Sequence, residues 1–264
     1  MNHELHFLLR HSAHDYQELV SRWQQIAKSA GLEMEEFFRS DDLPHYFLQK
    51  HADSDGFYIS AGIHGDEPAS TLGLVEWAEE NLEWISTQKC LIFPCLNPWG
   101  LVNNRRHNSQ DEDLNRCFGH DQHPMIRSWS GVMGENQFKI AVSLHEDYDA
   151  RGCYIYELTP PGPSLGKTCL DATESFIPRD PDADIEGRPA EEALIRHEGD
   201  LKELVEEILE EEGGLPEAIE LAIKHAEGSL TFETPSEYSL YRRVQAQKAL
   251  LDSAIRSQLQ TEAS

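Results

Sequence analysis

The stretch Ile59-Ser60-Ala61-Gly62-Ile63-His64-Gly65-Asp66-Glu67-Pro68 constrains this chain more than any other. An apolar run ends in a turn that carries a histidine and a glutamate three positions apart. Residues 57–63 read as a buried strand, Gly62 and Gly65 allow a sharp turn, and Pro68 suits the first position of a following helix. Loops at strand ends are where α/β proteins place their chemistry. An imidazole nitrogen and a carboxylate on one short turn can converge on a zinc ion, which takes four ligands at about 2 Å. Two ligands hold no ion alone, so a third has to come from later in the chain. With 13 histidines and 48 acidic residues, a His-x-x-Glu spacing also arises by chance, and it is the strand before it that gives this one weight.

The rest of the chain alternates between the two hydrophobic periods. A helix begins at Asp15, which with Glu18 makes a capping box; Leu19, Val20, Trp23, Ile26 and Ala27 recur at helical spacing, and Gly31 closes it. Residues 3–10, 32–39, 46–50 and 57–63 read as strands, the last two separated by a polar turn at 53–56. A helix over 69–81 and an apolar strand over 90–96 follow, and strand, helix, strand in that order implies parallel pairing. Residues 140–144 form another such strand and end in His145, with 153–158 after it. The region 159–220 is rich in proline and acid and reads as loops plus one or two surface helices, with Leu201, Leu204, Val205 and Ile208 as an apolar stripe. Residues 229–234 are a last strand, and 236–260 a long terminal helix that Ser236 could cap.

This order predicts an α/β fold, a single domain over 1–264 built on a mixed, mainly parallel twisted sheet flanked by helices. At 264 residues and 39% apolar the chain can bury a full core. Neither a leader sequence nor an apolar run of about 18 residues is present, which makes the cytoplasm the expected location and a membrane partner unexpected. Five cysteines without Cys-x-x-Cys spacing argue against both a disulfide framework and a thiolate metal site. A formal charge of -26 opposes nucleic acid and anionic membrane as partners. The same field would draw in cationic substrates, or it is simply an acidic soluble surface.

Arginines gather in one place in this acidic chain. After the strand at 90–96 come Asn97-Pro98-Trp99-Gly100, then Arg105 and Arg106, then Asp113-Leu114-Asn115-Arg116. Guanidinium groups take carboxylates in a bidentate way, so arginines after a metal turn point to capture of a substrate carboxylate or of a carbonyl that develops charge. Ordinary surface ion pairs would give the same pattern. Glu233 lies in an apolar strand before Thr234-Pro235, and a buried carboxylate there needs a cation or a task. His145 at a strand end could by itself be a hydrogen-bonded core histidine.

Taken together, His64-Gly65-Asp66-Glu67, Asn97-Pro98-Trp99-Gly100, Arg106 seven positions before Asp113, Asp113-Leu114-Asn115-Arg116, Leu144-His145 and Phe232-Glu233-Thr234-Pro235 resemble the zinc carboxypeptidase family. The likeness covers most of the chain from Phe57 to Pro235. It implies the phosphorylase/hydrolase-like fold of that family and a metallocarboxypeptidase that removes a C-terminal residue from a peptide with metal-activated water. It further implies one Zn2+ ion held by His64, Glu67 and His145, with Glu233 as general base and Arg106 polarising the scissile carbonyl. Asn115 and Arg116 would grip the free carboxylate of a small peptide or acyl amino acid substrate. His107, His120, His123 and His225 are assigned no metal.

The family carries a tyrosine on a mobile loop before the glutamate base, whereas here no tyrosine lies between Tyr156 and Tyr238. The zinc turn and the Asp-Leu-Asn-Arg segment also resemble the succinylglutamate desuccinylase and aspartoacylase group, which cleaves small N-acyl amino acids. Those enzymes place a β-rich region after the catalytic core, so the peptidase is the expected activity and the deacylase the alternative.

Overall fold

The computed structural model describes residues 3–8, 12–52, 55–119, 122–197 and 200–259. Helices α1 (His3–Leu8) and α2 (Tyr16–Ala30) precede three strands, β1 (Glu33–Ser40), β2 (Leu43–Lys50) and β3 (Phe57–Ala61). Then come α3 (Pro68–Glu80), the single turn α4 (Leu82–Ile85), β4 (Cys90–Phe93), α5 (Pro98–Asn103) and α6 (Pro124–Met133). Strands β5 (Phe138–Asp147) and β6 (Tyr154–Leu158), helix α7 (Leu165–Thr173), and the short strands β7 (Asp184–Ile185), β8 (Arg188–Pro189) and β9 (Leu194–Arg196) follow. The chain finishes with α8 (Leu201–Glu212), α9 (Glu217–Lys224), β10 (Ala226–Pro235) and α10 (Leu240–Leu259).

Eight of these strands form one sheet in the order β1-β2-β4-β3-β5-β10-β6-β9. Its centre is parallel, with β3 beside β4 and β5, and β5 beside β10, while β1, β2 and β6 enter antiparallel. The reason is visible in the side chains. Every residue of β3 is buried, as a strand covered on both faces must be. Phe57 and Ile59 face one core with Trp23 of α2, Trp77 of α3 and Leu251 of α10; Tyr58 faces the other with Trp129 of α6 and Ile219 of α9. Two helical layers therefore enclose the sheet and leave the carboxyl ends of β3, β5 and β10 to meet at one rim.

The expected caps are present on α2, where Glu18 N donates to Asp15 Oδ1 at 2.9 Å and Gly31 closes the helix at φ 65°. Three expectations are corrected. Residues 3–8 are helical rather than extended, because His3-Glu4-Leu5-His6-Phe7-Leu8 lacks β-branched residues and turns Phe7 onto Tyr241 of α10, ring centroids 5.6 Å apart; Leu9 and Arg10 lie outside the described residues. The stretch 159–220 holds the two expected helices, α7 and α8, but also the start of α9, the β7–β8 pair and a strand of the main sheet, β9, in place of loops. Glu157 explains part of this: buried, it accepts from Ser164 Oγ at 2.5 Å and from the α7 backbone at Leu165 and Gly166, anchoring that helix to β6. The terminal helix starts at Leu240, since Ser236 N donates to Asp147 O at 2.9 Å and prolongs the β10 ladder instead of capping; Gln260 lies outside the described residues, as do Asp53 and Ser54 of the expected turn.

Candidate metal centre

The first loop of the site is fixed by its own backbone. Gly62 adopts φ 62°, the left-handed turn that ends β3, and Asn97 N donates to Gly62 O at 2.8 Å, which laces this loop to the one after β4. Gly65 lies so close to α5 that a Cβ on it would stand 1.8 Å from Gly100 C, so no side chain fits beside His64. Glu67 then serves as the N-terminal flank of α3, with Pro68 as the first helical residue. The turn thus holds His64 and Glu67, both buried, over the rim of the sheet.

His145 arrives from β5, whose strand runs two residues beyond it. The ligand atoms of His64, Glu67 and His145 all lie within 4.8 Å of one another, and this is the one such cluster among the described residues. Nδ1 of His64 stands 2.6 Å from Glu67 Oε1 and Nδ1 of His145 3.1 Å from Glu67 Oε2. Burial disfavours a charged His64, but the carboxylates of Glu67 and Asp113 outweigh it and raise the imidazole to about 9. Burial likewise opposes ionisation of Glu67, and the two imidazoles overcome it, lowering the carboxyl to about 2. Glu67 Oε2 is nonetheless a buried oxygen with no well-formed hydrogen bond. Two imidazole Nδ1 atoms turned on one buried carboxylate are a donor set that would fit a divalent cation.

Glu233 stands beside this cluster because β10 pairs with β5 in parallel register, Glu233 opposite His145. Its Oε2 is buried without a hydrogen-bond partner. Burial drives its carboxyl well above the ordinary range, the charges of Glu67, Glu186 and Asp147 push the same way, and His145 opposes them. Arg106 lies on the open side, its side chain 44% exposed, with Nε 3.1 Å from Asp113 Oδ2 and Nη1 3.8 Å from Glu67 Oε1. Asn115 and Arg116 sit one turn further on. Asn115 Oδ1 accepts from Glu217 N at 2.9 Å, and Arg116 Nε donates to Glu212 Oε2 at 2.9 Å.

Residues 54–151 match the succinylglutamate desuccinylase/aspartoacylase catalytic domain. The solved structure of a protein assigned as a metallopeptidase from Shewanella amazonensis SB2B superposes with a TM-score of 0.80 at 22% identity, over 94% of each chain. Its counterpart from Shewanella denitrificans OS217 gives 0.80 at 20% identity over 94% of this chain and 92% of that one. Carboxypeptidase A from Helicoverpa armigera gives 0.65 at 15% identity, over 94% and 74%. The fold is that of the zinc carboxypeptidases. No curated protein matches the sequence.

Within the zinc carboxypeptidase fold, several groups to which motif reading gave no role support the cluster. Asp113 Oδ1 lies 3.2 Å from His64 Nε2, the carboxylate-behind-imidazole arrangement that fixes a ligand's orientation, and its carboxyl is held well below the ordinary range by His64 and Arg106 against the effect of burial. Gln247 of α10, fully buried, donates Nε2 to His145 O at 2.8 Å and to Thr234 Oγ1 at 3.1 Å, tying the ligand strand to the Glu233 strand. A glutamine among Val244, Leu250 and Leu251 on the buried face was the available signal. Glu146 accepts from Ala69 N at 2.6 Å and pairs with Arg243; burial raises it to about 7 even so. Under the sheet rim, buried Glu217 accepts from Tyr58 Oη, from Ser60 Oγ at 2.7 Å and from Ser143 Oγ at 3.2 Å. The other histidines stay out of the cluster: His107 pairs with Asp111, His123 with Glu112, His225 with Asn136 O, and His120 lies outside the described residues.

Proposed function

We propose that the protein is a zinc-dependent hydrolase of the metallocarboxypeptidase type, binding one Zn2+ at His64, Glu67 and His145. The observation that carries this reading is Glu233, a carboxylate with a buried, unpartnered oxygen, held in register beside His145 of a buried His-Glu-His cluster. When bound there, zinc supplies Lewis acidity and brings a water's pKa toward neutrality.

The remaining work falls to the chain. Glu233 Oε2 takes a proton from the attacking water and later gives it to the leaving nitrogen, and a carboxylate whose proton affinity is raised by burial suits that exchange. Arg106, fixed by Asp113 yet open to solvent, presents N–H donors to the charge that grows on the scissile oxygen. Arg116 receives the free carboxylate of a small peptide, with Asn115 beside it, and so limits cleavage to a residue at the chain end. Asp113 and Gln247 position the two imidazoles rather than touch substrate. The charge of -26 disfavours nucleic acid and anionic membranes as partners.

A second reading, an N-acyl amino acid deacylase, has its own support in the match of residues 54–151 to the succinylglutamate desuccinylase/aspartoacylase catalytic domain. Both cleave an amide near a free carboxylate. Rates on C-terminal dipeptides and tripeptides, set against N-acetylaspartate and N-succinylglutamate, separate the two. Turnover confined to the peptides is the expected result; turnover confined to the acyl amino acids replaces the peptidase with the deacylase, and none on either overturns the hydrolase.

A further inference from the structure

The residues that would receive a substrate carboxylate are already engaged by one short piece of this chain, residues 212–217, which joins α8 to α9. Phe118 N donates to Leu215 O at 3.2 Å and Leu215 N to Phe118 O at 3.3 Å. Gly214 lies against the arginine's own backbone, where a Cβ would stand 1.8 Å from Arg116 O. Glu217 N is bound by Asn115 Oδ1, and the guanidinium of Arg116 is held by Glu212.

Glu212 is badly placed for the helix it ends. Carboxylates at a helix C-terminus oppose the macrodipole, and the last turn of α8 has no basic residue of its own. Two neighbouring acids, Glu207 and Glu211, are neutralised by Arg188 at 2.8 and 2.9 Å. Glu212 has Arg116, through Nε at 2.9 Å, with the two side chains 29% and 45% exposed. A half-exposed pair of this kind contributes about 0.2–1 kcal/mol, whereas an incoming carboxylate can take two guanidinium N–H groups at once.

We propose that Glu212 is a specificity-determining residue, an internal carboxylate that occupies Arg116 until the substrate's own carboxylate displaces it. The inference rests on the reading of Arg116 as the carboxylate receptor. Glu212 therefore raises the concentration of free-acid substrate needed for saturation and leaves substrates without a terminal carboxylate unaffected. It acts on binding and leaves the chemical step alone.

The test uses the zinc-loaded full chain and one short peptide in two forms, free acid and C-terminal amide, with turnover followed by kinetics and binding by calorimetry. Glu212→Gln keeps the shape and removes the charge at an exposed position. It should lower both KM and Kd for the free acid by about 1.4- to fivefold, the range set by a half-exposed pair, with kcat and the amide's Kd unchanged. An unchanged or raised KM for the free acid overturns the proposal and makes the pair a fastening of α8. Arg116→Ala separates the two levels. Loss of the preference for the free acid keeps the receptor reading whatever Glu212→Gln does, and a preference that survives removes the receptor and the proposal together.

Discussion

Glu233 and His145 are cross-strand neighbours, paired in register on β10 and β5, so the group that would move a proton and an imidazole that would hold the metal share one face of the sheet. Their spacing is set by a backbone ladder and not by a loop. Glu233→Gln keeps the side-chain volume and removes the base. It should bind zinc at the same stoichiometry and lose about a hundredfold or more in kcat, measured by metal analysis alongside steady-state rates; a variant with unimpaired kcat would remove Glu233 from the chemistry.

Zinc binding should stabilise the fold, because the cluster exists only in the folded state. Metal at 100 times its Kd adds about 2.7 kcal/mol, read as a rise in thermal midpoint that a chelator reverses. His145→Ala should abolish that rise, since two ligands on one turn hold no ion. A rise of the same size in the variant would place the metal elsewhere.

Gln247→Leu should damage the site from below. The substitution leaves His145 O and Thr234 Oγ1 without their donor, a cost of about 1–3 kcal/mol in urea unfolding. Because the amide ties the ligand strand to the Glu233 strand, kcat should fall more than KM rises. An equal loss from Gln247→Met, which nearly keeps volume and cannot donate, would identify the lost hydrogen bonds as the cause.

Acid should destabilise the protein through His45. Burial lowers this imidazole from 6.5 to about 4, and Ser40 Oγ lies 2.9 Å from its Nε2. Between those two values the unfolded chain binds a proton that the folded chain refuses. The contribution is therefore whole above pH 6.5 and is lost as pH falls toward 4, to a total of about 3 kcal/mol at about 1.4 kcal/mol per pKa unit. Unfolding free energies from pH 4 to 7 should fall less steeply in His45→Gln than in the parent; parallel curves would assign the acid sensitivity to other groups.

How much of this was legible in the residues depends on what kind of signal carried it. β3 and α3 were readable because Phe57 to Ala61 is apolar but for Ser60 and Pro68 marks the helix start, so period and punctuation agree. The convergence of His64, Glu67 and His145 was expected from the resemblance to the zinc carboxypeptidases, carried by the motifs His64-Gly65-Asp66-Glu67 and Leu144-His145 at two strand ends, and not from any local period. Supports reached from far along the chain were not readable. Gln247 lies 102 positions from His145, and Glu217 lies 102 from Asn115, distances at which no local period speaks. The stretch 159–220 misled for a related reason: α7 is held by a buried acid of another element, Glu157, which composition alone makes look like surface. The first residues misled because six residues are too few to show a period, and their helix exists by packing on Tyr241.

The strand order carries a consequence for synthesis. β5 and β6 are consecutive in the chain, yet β10 is inserted between them and bonds to both. Until residues 226–235 leave the ribosome, the sheet has an open slot between β5 and β6 where Glu233 belongs, although both imidazoles and Glu67 are already present. The late arrival of that strand makes closure of the slot the step at which folding would be slow.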